Sequence, residues 1–109
     1  LAACLSALGS QTVPIEVVIA DNGPGDGCRE MLDSRFPEVK RIAFEGRNLG
    51  FGAALNRAVA AHGEGPLVFL NDDTVPEPDF IENLVAGWER GHFAMVAGVL
   101  LKATDPDQI

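Results

Sequence analysis

Leu1, Cys4, Leu5 and Leu8 open the chain at helical spacing, and Gly9 follows as a helix stop. The pattern then changes. Residues 15–20, Ile-Glu-Val-Val-Ile-Ala, form a β-branched run that suits a strand. This run ends in Asp21-Asn22-Gly23-Pro24-Gly25-Asp26-Gly27, a loop of turn-forming residues. Asp26 or Gly27 is placed to cap a short helix through Met31, Leu32 and Phe36, which Pro37 closes. A strand over 39–44 follows, and Lys40 and Arg41 mark it as less buried than the others. Phe51, Ala54, Leu55, Ala58 and Val59 make one apolar stripe at helical spacing, ended by Gly63 and Gly65. Leu67-Val68-Phe69-Leu70 is continuous apolar sequence, the signature of a strand covered on both faces. Pro78 fits the first position of a helix reaching about Arg90, with Phe80, Ile81, Leu84, Val85 and Trp88 facing a core. Residues 93–101 read as a last strand, interrupted by Gly98.

Helix and strand thus alternate from end to end. Strict alternation predicts an α/β fold with a mostly parallel sheet, right-handed crossovers and helices on both faces. There is no internal repeat, low-complexity tract or linker, so residues 1–109 read as one domain. The opening without Met, already inside an amphipathic pattern, leads us to expect that sequence precedes Leu1.

Composition narrows the partners. Against 16 acidic residues stand 8 basic ones, a net charge of −8, which argues against nucleic acid and against a basic membrane-binding patch. An acidic chain can still bind a nucleotide diphosphate if a divalent cation screens the carboxylates. No apolar run reaches the roughly eighteen residues of a membrane span. With no signal peptide visible either, the expected compartment is the cytoplasm. Cys4 and Cys28 have no metal-ligand spacing, and Cys4 falls on an apolar helical stripe, as a buried thiol would.

The candidate chemistry lies where the predicted strands end. Asp21 ends one strand and Asp72-Asp73 follow another, and ligands of open α/β sheets bind outside the carboxyl ends of strands. These carboxylates are therefore expected to line one crevice. Adjacent carboxylates repel unless a cation or hydrogen bonds compensate, and hard oxygen donors suit Mg²⁺ or Mn²⁺ gripping a diphosphate. A carboxylate can also accept the ring N–H of a uracil- or thymine-like base, or a ribose hydroxyl. The plainer reading of Asp21 is an Asx-turn, and of Asp72-Asp73 a polar turn capping the next helix. Arg47-Asn48-Leu49-Gly50-Phe51-Gly52 precedes a helix, where glycines and backbone N–H groups suit an anion. It lacks the third glycine of a dinucleotide fingerprint. His62 and His92 fall at helix or loop ends, and no Ser/His/Asp or Cys/His arrangement stands out.

Three motifs in order carry a resemblance: Val17-Val18-Ile19-Ala20-Asp21-Asn22-Gly23 with Asp26-Gly27, Arg47 to Gly52 with Asn56, and Phe69-Leu70-Asn71-Asp72-Asp73-Thr74. The chain resembles the nucleotide-sugar-binding part of a family 2 glycosyltransferase with the GT-A fold, in particular the rhamnosyltransferase-like branch. The resemblance implies a nucleotide-diphosphate sugar donor and a glycan or lipid-linked acceptor. It implies donor contacts at Asp21, Asn22, Asn48, Gly50 and Asp72, with Asp21 on the base and Asp72 near the ribose or sugar. Asp73 would ligate Mg²⁺ or Mn²⁺ on the diphosphate. Asn71-Asp72-Asp73 stands where the family has Asp-x-Asp, so the first position departs from the pattern. The family's first strand is expected before Leu1, and its acceptor half with the catalytic base beyond Ile109. No catalytic base is named within the chain, since Asp105 and Asp107 do not match it. The resemblance further implies inversion, cell-envelope polysaccharide or glycolipid synthesis, and work at the inner face of the cytoplasmic membrane, though no membrane association is encoded in these residues. A chain of this kind would not turn over alone. Two other functions stay open, a sugar-phosphate nucleotidyltransferase and a noncatalytic interaction module with a degenerate site.

Overall fold

The computed structural model describes residues 1–23, 27–62 and 65–102. Its elements are α1 (Ala2–Leu8), β1 (Val18–Asp21), α2 (Cys28–Arg35), β2 (Lys40–Ala43), α3 (Phe51–His62) and α4 (Phe80–Gly91). They gather into two compact units, one of Glu16–Asn71 and one of Leu1–Ile15 with the described part of Asp72–Ile109.

In the Glu16–Asn71 unit, β1 and β2 pair in parallel, from Val18 opposite Lys40 to Asp21 opposite Ala43. Parallel neighbours need a crossover, and α2 supplies it. Gly27 precedes α2 with φ 80°, a left-handed backbone that glycine adopts without cost. The alternative cap, Asp26, lies outside the described residues. Leu32 of α2, Phe44 just past β2 and Ala54 of α3 are buried, and α3 packs on β1. The Arg57 guanidinium lies 5.8 Å from the centre of the Phe44 ring, a cation–π contact on a core aromatic. β2 is the more exposed strand, as its Lys40-Arg41 pair predicts.

Two expectations fail in this unit. Residues 67–70 form no strand ladder; Leu67 and Val68 are exposed and Phe69 is 56% exposed. An apolar run reports a demand for cover, but a strand also needs a neighbour for its backbone groups. Among the described residues the one sheet is that of β1 and β2. Phe51 is exposed as well, so the apolar stripe of α3 begins at Ala54.

In the second unit, Cys4 and Leu5 are the buried face of α1 and Ile81 that of α4. α4 begins at Phe80 rather than Pro78, and Asp79 at its N-cap makes no side-chain cap bond. Gln11 supplies the cap: its Oε1 accepts from the Ile81 N–H at 3.0 Å and its Nε2 donates to the Glu77 carbonyl at 2.8 Å. Beside it, the Thr12 N–H donates to the Pro78 carbonyl at 2.9 Å and the Thr12 hydroxyl to Glu82 Oε2 at 2.6 Å. One polar turn after α1 thus satisfies a donor that the start of α4 leaves open, the Ile81 N–H, and donates to the carbonyls of Glu77 and Pro78 before it.

Trp88 is 38% exposed rather than in the core. It lies near the end of α4, beyond the cover that reaches Ile81, and His92 closes the helix at φ 50°. Residues 93–101 form no strand; Phe93, Val99, Leu100 and Leu101 are exposed and Met95 is 84% exposed. Gly98 has a packing role instead, since a Cβ there would run into the Phe80 ring. No helix among the described residues is long and apolar enough to cross a membrane.

Candidate functional site

Asp21 is the last residue of β1, so its side chain leaves the carboxyl end of a parallel strand. Its Oδ1 accepts from the Gly23 N–H at 3.0 Å, which is the Asx-turn bond of the plainer reading. Its Oδ2 takes Arg41 Nε at 2.7 Å and Nη2 at 2.6 Å. The Asp21 side chain is 8% exposed and that of Arg41 28%. The hydrogen bond to Asp21 pushes the Arg41 guanidinium above its ordinary pKa, against the smaller opposing effect of burial. A carboxylate this covered has to be paired, and the strand next door supplies the partner.

Asn22 and Asn48 interlock. Asn22 Nδ2 donates to Asn48 Oδ1 at 3.0 Å, while Asn22 Oδ1 accepts from the Leu49 N–H at 2.7 Å. Asn48 Oδ1 also accepts from the Gly50 N–H at 2.8 Å. Gly50 has φ 77°, a left-handed backbone that turns the chain into α3. The loop after β1 is thereby stapled to the loop before α3. The N–H groups of Leu49 and Gly50, part of the expected anion cradle, are occupied by the two Asn side chains. The Phe51, Gly52 and Ala53 N–H groups at the start of α3 lie ahead of its hydrogen-bonded ladder. A shallow groove of about 270 Å³ lies elsewhere in this unit, lined by Glu16, Val18, Lys40, Ala58 and His62 among others, and includes neither Asp21 nor Asn48.

Asp72 and Asp73 belong to the second unit. Both are exposed, in a turn, and neither forms a salt bridge among the described residues. The thiol of Cys4 senses them. Burial pushes that thiol above its ordinary pKa, a hydrogen bond with Thr74 works against the shift, and the Asp72 and Asp73 charges add to it. Among the described residues no three His, Cys, Asp or Glu side chains are grouped to hold a metal. Two exposed neighbouring carboxylates nevertheless fit Mg²⁺, which commonly takes one or two carboxylates and fills its shell with water and phosphate oxygens. The donor set suits a cation that arrives with a diphosphate and does not suit a protein-only cage.

The structure therefore brings Asp21, Asn22, Asn48 and Gly50 together through hydrogen bonds within one unit. Sequence reasoning missed Arg41, seen there only as a mark of a less buried strand. The strand register reveals it, because position 41 pairs with Ile19, two residues before Asp21 on the same strand face.

The sequence model of the family described as Glycosyl transferase family 2 matches residues 1–108. The N-acetylglucosaminyl-diphospho-decaprenol L-rhamnosyltransferases of two Mycobacterium tuberculosis strains, CDC 1551 / Oshkosh and ATCC 25618 / H37Rv, are each 33% identical to the chain over 105 residues. Each match covers 86% of this chain and 33% of the relative. EpsH of Bacillus subtilis (strain 168), provisionally named a glycosyltransferase, is 31% identical over 90 residues, covering 75% of this chain and 24% of EpsH. The chain thus spans about a third or less of the length of these relatives. No solved structure matches it. With its parallel β1–α2–β2 unit and a match running through residues 1–108, the chain is of the GT-A α/β type and belongs to glycosyl transferase family 2.

Proposed function

We propose that the chain is the nucleotide-sugar-binding domain of a metal-assisted, inverting glycosyltransferase. The family match over residues 1–108 carries the reading of sugar transfer. The position of Asp21 at the carboxyl end of β1, beside the stapled Asn22–Asn48 loops, supports a nucleotide at that strand end.

In this reading the lone pair left on Asp21 Oδ1 accepts a ring N–H of the base. Asn22, Asn48 and Gly50 shape the loops that hold the donor, and Asp72 approaches the ribose or sugar. Members of the family often use divalent metals, and Asp73 would hold Mg²⁺ or Mn²⁺ here. When bound, the cation stabilises the negative charge of the departing nucleotide diphosphate. The acceptor hydroxyl oxygen forms the new bond to the anomeric carbon as the bond to the diphosphate breaks. The hydroxyl proton goes to a general base, to which no residue of this chain is assigned. By analogy with the mycobacterial relatives, whose name specifies an N-acetylglucosaminyl-diphospho-decaprenol, the acceptor is a lipid-linked glycan. The enzyme then works at the inner face of the cytoplasmic membrane in cell-envelope synthesis.

The test is a transfer assay on the full-length protein. Rhamnose and other sugars are offered on UDP, dTDP and GDP, with Mg²⁺ or Mn²⁺ and a polyprenyl-diphosphate N-acetylglucosamine acceptor. The expected result is metal-dependent release of the nucleoside diphosphate and a glycoside of inverted anomeric configuration. Retained configuration overturns the stereochemistry. Product formation only from a nucleoside triphosphate and a sugar phosphate would replace the reading with nucleotidyl transfer.

A further inference from the structure

We infer that Arg41 is a positioning residue of the nucleotide site, holding Asp21 through Oδ2 so that Oδ1 faces the base in one fixed orientation. The inference rests on the donor-site reading of Asp21 and adds to it the group that orients this carboxylate.

The strand register makes the arrangement possible. Arg41 stands opposite Ile19 and Ala43 opposite Asp21, so Arg41 and Asp21 are diagonal neighbours on one face of the sheet. Both donors of Arg41 converge on one carboxylate oxygen, Nε at 2.7 Å and Nη2 at 2.6 Å. A carboxylate offers about four lone-pair positions. Arg41 takes those of Oδ2, and the Gly23 N–H takes one on Oδ1. One acceptor position remains, on Oδ1, and its direction is fixed because the carboxylate is held at both oxygens, by Arg41 on Oδ2 and by the Gly23 N–H on Oδ1. A carboxylate held on Oδ1 alone, by the Gly23 N–H, could turn about its own bond. Held on Oδ2 by Arg41 as well, it offers its last lone pair in one direction only.

Asp21 at 8% side-chain exposure would be costly to leave unpaired, so Arg41 also has a structural role. The two roles differ in what they predict. A purely structural ion pair affects stability and leaves discrimination among bases alone. A positioning residue sets discrimination, because a misdirected acceptor loses its advantage for bases that carry a ring N–H. Uracil, thymine and guanine have such a group on the pairing edge and cytosine does not.

The experiment titrates UDP, dTDP, GDP and CDP, with Mn²⁺, into the full-length protein and its Arg41→Lys, Arg41→Met and Asp21→Asn variants, alongside thermal melts. Arg41→Lys keeps the positive charge and loses the paired Nε and Nη2 contacts on Oδ2. It is expected to fold, to bind the preferred nucleotide about tenfold more weakly, and to bind CDP as before, so that discrimination shrinks. Arg41→Met is expected to go further in the same direction, and if it does not fold, Arg41→Lys decides. Wild-type affinity and discrimination in Arg41→Lys, alongside their loss in Asp21→Asn, overturn the inference and leave the donor-site reading standing. Wild-type behaviour in Asp21→Asn, or no nucleotide binding by the wild-type protein, overturns the reading of Asp21 itself.

Discussion

The two carboxylate sites of this chain are built in opposite ways. Asp21 is almost covered, accepts hydrogen bonds from Arg41 and Gly23, is ion-paired with Arg41, and neighbours loops already tied together by Asn22 and Asn48. Asp72 and Asp73 are exposed, side by side and without a salt bridge among the described residues. The first is organised before any ligand arrives, so little ordering entropy is lost on binding. The second is a repelling pair that a cation would relieve. Under the function proposed above, the organised site would read the base and a cation at the exposed pair would offset the charge of the diphosphate.

Breaking the framework under the organised site should have the largest effect. Phe44 is buried beside β2 with Arg57 against its ring. Phe44→Ala is expected to lower unfolding free energy by about 3–5 kcal/mol in urea denaturation. The staple itself comes next. Asn22→Ala removes the acceptor of the Leu49 N–H and the donor to Asn48. It is expected to cost about 1–2 kcal/mol, and a double-mutant cycle with Asn48→Ala should return a coupling of about 0.5 kcal/mol or more. Asp72→Ala and Asp73→Ala should stay within about 0.5 kcal/mol of wild type in the same assay, because no framework hangs on them.

The smallest effect concerns the thiol near the exposed pair. Burial raises the pKa of Cys4, with Asp72 and Asp73 adding to the shift. Folding therefore favours the protonated thiol. Its contribution to stability is complete below the unfolded-chain value and is lost as pH rises through the raised folded value. Stability of the wild-type protein should fall in that alkaline window, and Cys4→Ala should flatten the fall. Cys4 alkylation rates followed against pH give an independent check, with the rise displaced to higher pH than for a small-molecule thiol.

The same contrast shows how much was legible in the sequence. The helices were readable because their apolar positions repeat along one local stretch, and α1, α2, α3 and α4 all form near their expected places. The strands at 67–70 and 93–101 were not, because an apolar run signals a demand for cover and says nothing of which backbone will pair with it. Asp21, Asn22, Asn48 and Gly50 were legible as turn and loop chemistry, although their mutual hydrogen bonds were not. Arg41 became visible only through strand register. Gln11 caps a helix seventy positions further along, a relation that no local pattern encodes.

The most direct test of the account is calorimetric titration of UDP, dTDP and GDP into the full-length protein and its Asp73→Ala variant, with and without Mn²⁺. The account predicts that the wild-type protein binds one of these nucleotides and that Mn²⁺ strengthens this binding. Asp73→Ala should melt like wild type and lose the metal-dependent gain. Absence of nucleotide binding by the folded wild-type protein, or an undiminished metal-dependent gain in Asp73→Ala, would contradict it.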